Sequence, residues 1–184
     1  LADIHLGKVE HFRKSGIPVP RKVQGVFYEK ISRLKNSLNF SRVIFLGDLF
    51  HSSLNNEWFL FENWVKKSSL KIILIKGNHD IIPKYKFKQI GIESYGDLKI
   101  EKFFFTHHPK KIDNFFVFSG HIHPGVKLIG KGRQLMKLPC FIYNKEQIIL
   151  PSFGGFTGMH FPKIKNSDKV FVITKREIIE VKKN

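Results

Sequence analysis

The chain has 184 residues, with 32 Lys plus Arg against 15 Asp plus Glu, and so a formal charge of +17. With 42% hydrophobic and 14% aromatic residues it has enough apolar side chain for one domain with a sizeable core, which excludes disorder over most of its length. No apolar run approaches the roughly 18 residues of a bilayer span, and the single cysteine, Cys140, excludes an internal disulfide, so a soluble protein of a reducing, cytoplasmic compartment is expected. The charge points to a polyanionic partner, nucleic acid or an anionic membrane face, although Lys-rich usage also follows from genome composition.

The chain opens Leu1-Ala2-Asp3-Ile4-His5, where Asp3 looks like a ligand placed at the end of a strand that should precede it. Phe27, Ile31, Leu34 and Leu38 recur at i, i+4, i+7 and i+11 with Lys30, Arg33 and Lys35 opposite, which predicts an amphipathic helix. Val43-Ile44-Phe45-Leu46 then runs into Gly47-Asp48. A second helix is expected over residues 57–67, its Trp58, Phe61, Trp64 and Val65 stripe serving as core rather than as cofactor contacts. Ile72-Ile73-Leu74-Ile75 reaches Gly77-Asn78-His79-Asp80, Phe103-Phe104-Phe105-Thr106 delivers His107, and Phe115-Phe116-Val117-Phe118 leads through Ser119-Gly120 to His121. Such continuous β-branched and aromatic runs read as strands buried on both faces, with polar residues gathered at their carboxyl ends.

After His123 the texture is strand and turn, at residues 126–129, 141–143, 147–150, 170–174 and 178–181, without helical signal. The loop Phe153-Gly154-Gly155-Phe156-Thr157-Gly158 suits either close approach to a site or a plain connection. The expected fold class is α/β, two sheets packed face to face with helices outside, in a single domain over residues 1–184.

Six of nine histidines fall in one series with aspartate and asparagine: Asp3-x-His5, Gly47-Asp48-x-x-His51, Gly77-Asn78-His79-Asp80, His107 and Gly120-His121-x-His123. Each piece is common alone; the ordered set is not. Imidazole and carboxylate together suit borderline divalent ions such as Mn, Fe or Zn, and the lack of a cysteine cluster excludes a thiolate zinc site. One aspartate bridging two ions would hold them roughly 3.5–4 Å apart, where a water between them loses a proton at neutral pH and a phosphoryl oxygen is polarised. Asn78 offers a neutral oxygen, and histidines beside the ions can stabilise the transition state or protonate a leaving oxygen.

This series resembles the calcineurin-like metallophosphoesterase superfamily, whose fold is a four-layer arrangement of two packed mixed β-sheets flanked by α-helices. The resemblance implies that one divalent ion takes Asp3, His5, Asp48 and His123 and the other takes Asp48, Asn78, His107 and His121, with Asp48 as the bridge. It also implies that His79 is the catalytic histidine, that Asp80 orients it, and that His51 contacts the phosphate or assists the leaving group. The ions are expected to be Mn²⁺, with Fe or Zn as alternatives.

A narrower resemblance rests on Asp3-Ile4-His5-Leu6-Gly7-Lys8, Phe12-Arg13, Gly16-Ile17-Pro18-Val19-Pro20, Gly47-Asp48-Leu49-Phe50-His51, Gly120-His121-Ile122-His123-Pro124, Leu138-Pro139-Cys140-Phe141 and Leu150-Pro151-Ser152 followed by the glycine-rich loop. These segments are similar to the ligase-associated DNA damage response endonucleases, a resemblance that implies DNA as substrate and a DNA ligase, a helicase and an exonuclease-like protein as partners, with no membrane. The segment from Gly47 to Ser52 is also similar to that of the DNA double-strand-break repair nuclease. That family carries a strand and more ahead of Asp3, so Asp3 and His5 are expected to be poorly positioned here.

The expected activity is divalent-metal-dependent cleavage of DNA phosphodiesters, a hydroxide attacking phosphorus in line with the leaving sugar oxygen while His79 and His51 supply charge or a proton. Lysines outside the site would neutralise successive phosphates, giving salt-sensitive, weakly sequence-specific binding. Lys8 and Arg13, just after the first motif, are candidate phosphate contacts. The alternatives are a small phosphoester substrate, such as a cyclic nucleotide, a nucleotide-sugar diphosphate or a phosphoprotein, and a non-catalytic docking module. His107 is preferred to its neighbour His108 as the ligand, His11 and His160 are expected at the surface, and Cys140 is expected to be a buried small hydrophobe.

Overall fold

The computed structural model describes residues 1–14, 16, 25–51, 53–130 and 132–181; residues 17–20 of the narrower resemblance, Ser52 and the His11 side chain lie outside it. Helix α1 (Lys8–Lys14) precedes α2 (Val26–Leu38), β1 (Arg42–Leu46), α3 (Asn56–Ser68), β2 (Lys71–Ile75), α4 (Lys84–Gln89) and β3 (Glu93–Tyr95). Strands β1, β2 and β3 form a parallel three-stranded sheet in that order. Then follow β4 (Leu98–Ile100), β5 (Phe103–Phe105), β6 (Phe116–Ser119), β7 (Gly125–Ile129), β8 (Leu135–Tyr143), β9 (Gln147–Ile149), β10 (Lys169–Ile173) and β11 (Ile178–Val181). These make a mixed eight-stranded sheet in the order β11-β10-β8-β9-β6-β5-β4, with β7 paired to β8.

Side-chain alternation along the strands builds the layers. Ile72 and Leu74 of β2 face a core that includes Phe27 and Ile31 of α2, Trp58 and Phe61 of α3, and Phe87 of α4. Ile73 and Ile75 face the other way, onto Leu98, Phe105 and Phe118 of the second sheet and Leu150 just past β9. The two sheets therefore pack face to face, with helices over the first. Helix α3 begins at Asn55, whose side chain accepts the Glu57 amide, and α2 ends at Asn39 in the left-handed region.

Two expectations are corrected. Strands β5 and β6 are not buried on both faces: Phe104 and Val117 are buried, whereas Phe103, one residue along, is 42% exposed. Leu38, placed in the apolar stripe of α2, sits exposed in its last turn. As the lack of helical signal after His123 implies, all four described helices precede Gly91, and the outer core of the second sheet, Cys140, Ile142, Ile149, Val170 and Val172, is covered by Ile122, Val126, Leu128, Ile164 and Val181.

Candidate metal centre

The expected ligands lie just past strand ends, Asp48 two residues beyond β1, Asn78 three beyond β2, His107 two beyond β5 and His121 two beyond β6. Residues 1–6 add the first motif by running beside the carboxyl end of β1. Leu46 N–H donates to the Leu1 carbonyl at 2.7 Å, Asp3 N–H to Gly47 at 3.1 Å, His5 N–H to Asp48 at 2.9 Å and Leu6 N–H to Leu49 at 2.8 Å. Asp3 and His5 are thus buried and held, contrary to the expectation of poor placement. Ser152 Oγ fixes the same segment by donating to the Asp3 carbonyl at 2.7 Å, and the Gly154 amide donates there too at 3.2 Å, so the glycine-rich loop braces the first motif from behind.

Backbone strain is concentrated here. Asp3, His5, Asp48, His121 and His123 all have φ between 50° and 67°, a left-handed conformation that costs a side-chain-bearing residue of order 1–3 kcal/mol. Five such residues converging on one rim indicate that the fold holds these side chains against local preference. The glycines of two motifs serve the same packing. A Cβ on Gly47, itself at φ +85°, would lie 2.2 Å from His107 Nδ1, and one on Gly77 would lie 2.3 Å from Asp48 Oδ1.

Two donor groups share Asp48. On one side, His5 Nε2 lies 3.6 Å from Asp48 Oδ2 and His123 Nε2 lies 3.3 Å from Asp3 Oδ1. On the other, His107 Nε2 lies 3.5 Å from Asp48 Oδ1, 3.1 Å from Asn78 Oδ1 and 3.1 Å from His121 Nδ1. Asp3, His5 and His123 form one set able to hold an ion, as do Asp3, Asp48 and His107.

The donor chemistry fits a cation. His107 Nδ1–H donates to the Leu46 carbonyl at 2.8 Å, and the other ring nitrogen, Nε2, lies 3.1 Å from the Asn78 side-chain oxygen, so a nitrogen and an oxygen donor converge on one point. The buried Nε2 atoms of His5 and His123 have no hydrogen-bond partner. An orphaned buried nitrogen costs free energy unless something binds it. Burial pushes the His5 imidazole down to about 3, with the neighbouring His123, Lys8 and His51 adding to the effect against Asp48, so at neutral pH the ring is uncharged and keeps one nitrogen lone pair for a cation. Desolvation, then His108 and His107, lower the His121 imidazole as well.

His79 N–H donates to Asp48 Oδ1 at 3.0 Å, and its ring stacks on His51 with centroids 5.2 Å apart. His51 Nδ1 is 3.4 Å from His5 Nδ1. Asp80 is buried and does not act on the His79 ring: Oδ1 accepts the amides of Leu49 and Phe50 at 3.0 and 3.2 Å, and Oδ2 accepts that of Gly77 at 2.9 Å. The expectation that it orients the catalytic histidine is corrected to a clamp between the Asp48 and Asn78 loops. Burial raises its carboxyl above the usual range, with those amides opposing.

His108 is exposed and rests on the His121 ring at 4.0 Å, beside the buried His107. Lys8 is half-buried near enough to depress the His5 imidazole, and Arg13, also half-buried, lies five residues on, about 140° around α1 from it. His160 is exposed, but its backbone brackets the last motif, its N–H donating to the His123 carbonyl at 3.0 Å and its carbonyl accepting from Gly125 at 2.8 Å. Cys140 is fully buried, and burial pushes its thiol up to about 11, which makes it inert. Ser152 is a further contributor, and its signal in the sequence is its place between Pro151 and the glycine-rich loop.

A rim of strained histidines and carboxylates over a two-sheet α/β sandwich defines a metal-dependent phosphoesterase. The calcineurin-like phosphoesterase family model matches residues 1–176, and the chain belongs to that family. Its structure is similar to the crystal structure of Pseudomonas putida nuclease MPE, with a TM-score of 0.76 and 26% identity, covering 94% of this chain and 82% of that one. No curated protein matches the chain. No described helix is long and apolar enough to cross a membrane.

Proposed function

We propose that this chain is a divalent-metal-dependent nuclease that hydrolyses DNA phosphodiesters in DNA repair. Asp3, His5, Asp48 and His123 would hold one ion and Asp48, Asn78, His107 and His121 a second, Mn²⁺ first among the candidates, with Fe or Zn as alternatives. Such a pair of ions supplies a nucleophile from water at neutral pH and polarises the phosphoryl oxygen. The observation that carries the reading is that the two oxygens of Asp48 address different histidines, His5 at 3.6 Å and His107 at 3.5 Å.

The protein's own groups do the rest. His79, joined through its amide to Asp48 and stacked on His51, would give a proton or positive charge to the leaving oxygen. His51 supports it from the His5 side, and Lys8 offers positive charge to the phosphate. Similarity to a nuclease and a charge of +17 favour DNA over a small phosphoester. A DNA ligase, a helicase and an exonuclease-like protein belong to the same proposal as partners.

The test is cleavage of labelled single-stranded and nicked DNA beside bis(p-nitrophenyl) phosphate, with Mn²⁺, with a chelator and across a salt series. DNA cleavage that requires the ion and falls steeply with salt is expected. Turnover of the small diester alone would overturn the DNA reading and favour a small-molecule substrate.

A further inference from the structure

Between Asp113 and Glu146 the chain carries no acidic residue, yet it carries Lys127, Lys131, Arg133, Lys137 and Lys145. Within this stretch β7 and β8 form an antiparallel hairpin whose register sets Lys127 directly opposite Lys137 and Ile129 opposite Leu135. Residues two apart on a strand share a face, so these four side chains stand on one side of the ribbon. All four are exposed, Ile129 at 75% and Leu135 at 56%. The other side, Val126, Leu128 and Leu138, packs on the core around Cys140.

Like charges placed directly opposite in a sheet destabilise it, and the usual remedy is an acidic neighbour. Here there is none: neither Lys127 nor Lys137 forms an ion pair among the described residues, unlike Lys66, Lys71, Lys110, Lys111 and Lys169. Lys127 instead has its ammonium 4.9 Å from the Phe161 ring centroid, a contact that holds the side chain without neutralising it. A second observation is the hairpin's root. Strand β7 starts two residues after the candidate ligand His123, and the His160 backbone pairs on both sides of Pro124. An extended chain rises about 3.4 Å per residue, so Lys127 stands within roughly 14 Å of His123. That separation suits phosphates a few nucleotides from the one being cleaved, and a two-stranded ribbon is of a size that a DNA groove admits.

We propose that the solvent face of the β7–β8 hairpin is a DNA-binding arm, in which Lys127 and Lys137 contact backbone phosphates flanking the scissile one and Ile129 and Leu135 form its apolar edge. The assignment rests on the nuclease reading and adds to it the surface that holds the substrate outside the metal centre. It also accounts for an unpaired like-charge register, which a bound anion relieves.

The experiment uses the full chain carrying K127Q/K137Q. Binding of fluorescein-labelled DNA is followed by anisotropy in a chelator across a salt series, beside hydrolysis of bis(p-nitrophenyl) phosphate with Mn²⁺. Loss of two phosphate contacts should weaken binding by about tenfold or more at 0.1 M salt and flatten the slope of log K against log salt by about 1.4–1.8. Small-diester turnover should be unchanged, the melting temperature should hold or rise as the repulsion goes, and K127R/K137R should bind like the unaltered protein. Unchanged DNA affinity and salt slope in K127Q/K137Q, with DNA still cleaved, would overturn the arm and leave the nuclease reading standing. An unaltered protein that turns over only the small diester would overturn both.

Discussion

The main-chain N–H of His79 donates to Asp48 Oδ1 at 3.0 Å, joining the expected bridging carboxylate to the expected catalytic histidine across 31 residues of sequence. The bond comes from the backbone, so it survives any change of the His79 side chain. Asp48 itself is 2% exposed and meets donors from three other motifs: His5, the His79 amide and His107. On the proposed roles, metal retention and chemistry should therefore separate by mutation at these two positions.

Asp48→Asn removes the charge that both donor groups share and sets an amide nitrogen or a weaker oxygen against His5 and His107. The expected outcome is loss of both ions and a fall in activity larger than the roughly 10–100-fold that outer-shell changes cost. Metal content by elemental analysis, beside circular dichroism to confirm the fold, checks it; stoichiometric metal in D48N would sink the bridge.

His79→Ala should keep metal within experimental error, because Asp48 is still held by the residue 79 amide. Activity should fall by about 10²–10⁴-fold, the range for a positioned proton donor. Turnover of a diester with a good leaving group, such as p-nitrophenolate, should fall less than DNA cleavage if His79 protonates the leaving oxygen. An equal loss on both substrates argues for electrostatic stabilisation instead, and a large loss of metal would contradict the assignment.

Asp80 accepts three amides with two buried oxygens. Asp80→Asn turns one acceptor into a donor facing an N–H, and hydrogen bonds to a charged group contribute about 1.5–3 kcal/mol each. The melting temperature should drop by roughly 3–12 °C, with activity falling along with it as the Asp48 and Asn78 loops separate. Thermal unfolding followed by circular dichroism decides it; a stable D80N with impaired turnover would restore a direct role on the His79 ring.

Asp48, Asn78, His107 and His121 were legible because each follows an apolar run, and a buried strand that stops at a polar residue leaves its end on the rim. The helix α2 stripe and the α3 aromatics were legible for the same reason, periodic burial. What the pattern could not carry is short or long-range. Strands β3 and β4 have three residues each and α4 buries only Phe87, too little to show a period. Strand β8 starts at Leu135, well before the expected residue 141, because Leu135, Met136 and Lys137 are all exposed and give no alternation. The partners of Asp80 and Ser152 are backbone groups from distant segments, which side-chain patterns do not encode.

Glu57 is a buried carboxylate outside the metal centre, at 2% exposure in the first turn of α3, with the Tyr28 hydroxyl donating to its Oε1 at 3.0 Å. Burial raises its carboxyl above the ordinary 4.5, the Tyr28 hydrogen bond opposing and Glu10 assisting. A group whose folded pKa lies above its unfolded value contributes stability that is complete below the unfolded value and is lost as pH rises through the folded one. The protein should thus lose this contribution from about pH 4.5 upward, as an uncompensated negative charge forms beside the core. Glu57→Gln keeps an acceptor for Tyr28 and removes that charge. The melting-temperature difference, E57Q minus unaltered, should be near zero at about pH 4 and grow in favour of E57Q as the pH rises to about 8. Differential scanning fluorimetry in chelator at both pH values measures it without metal effects. An E57Q protein less stable than the unaltered one at about pH 8 would mean that the Glu57 charge is paired in the folded state.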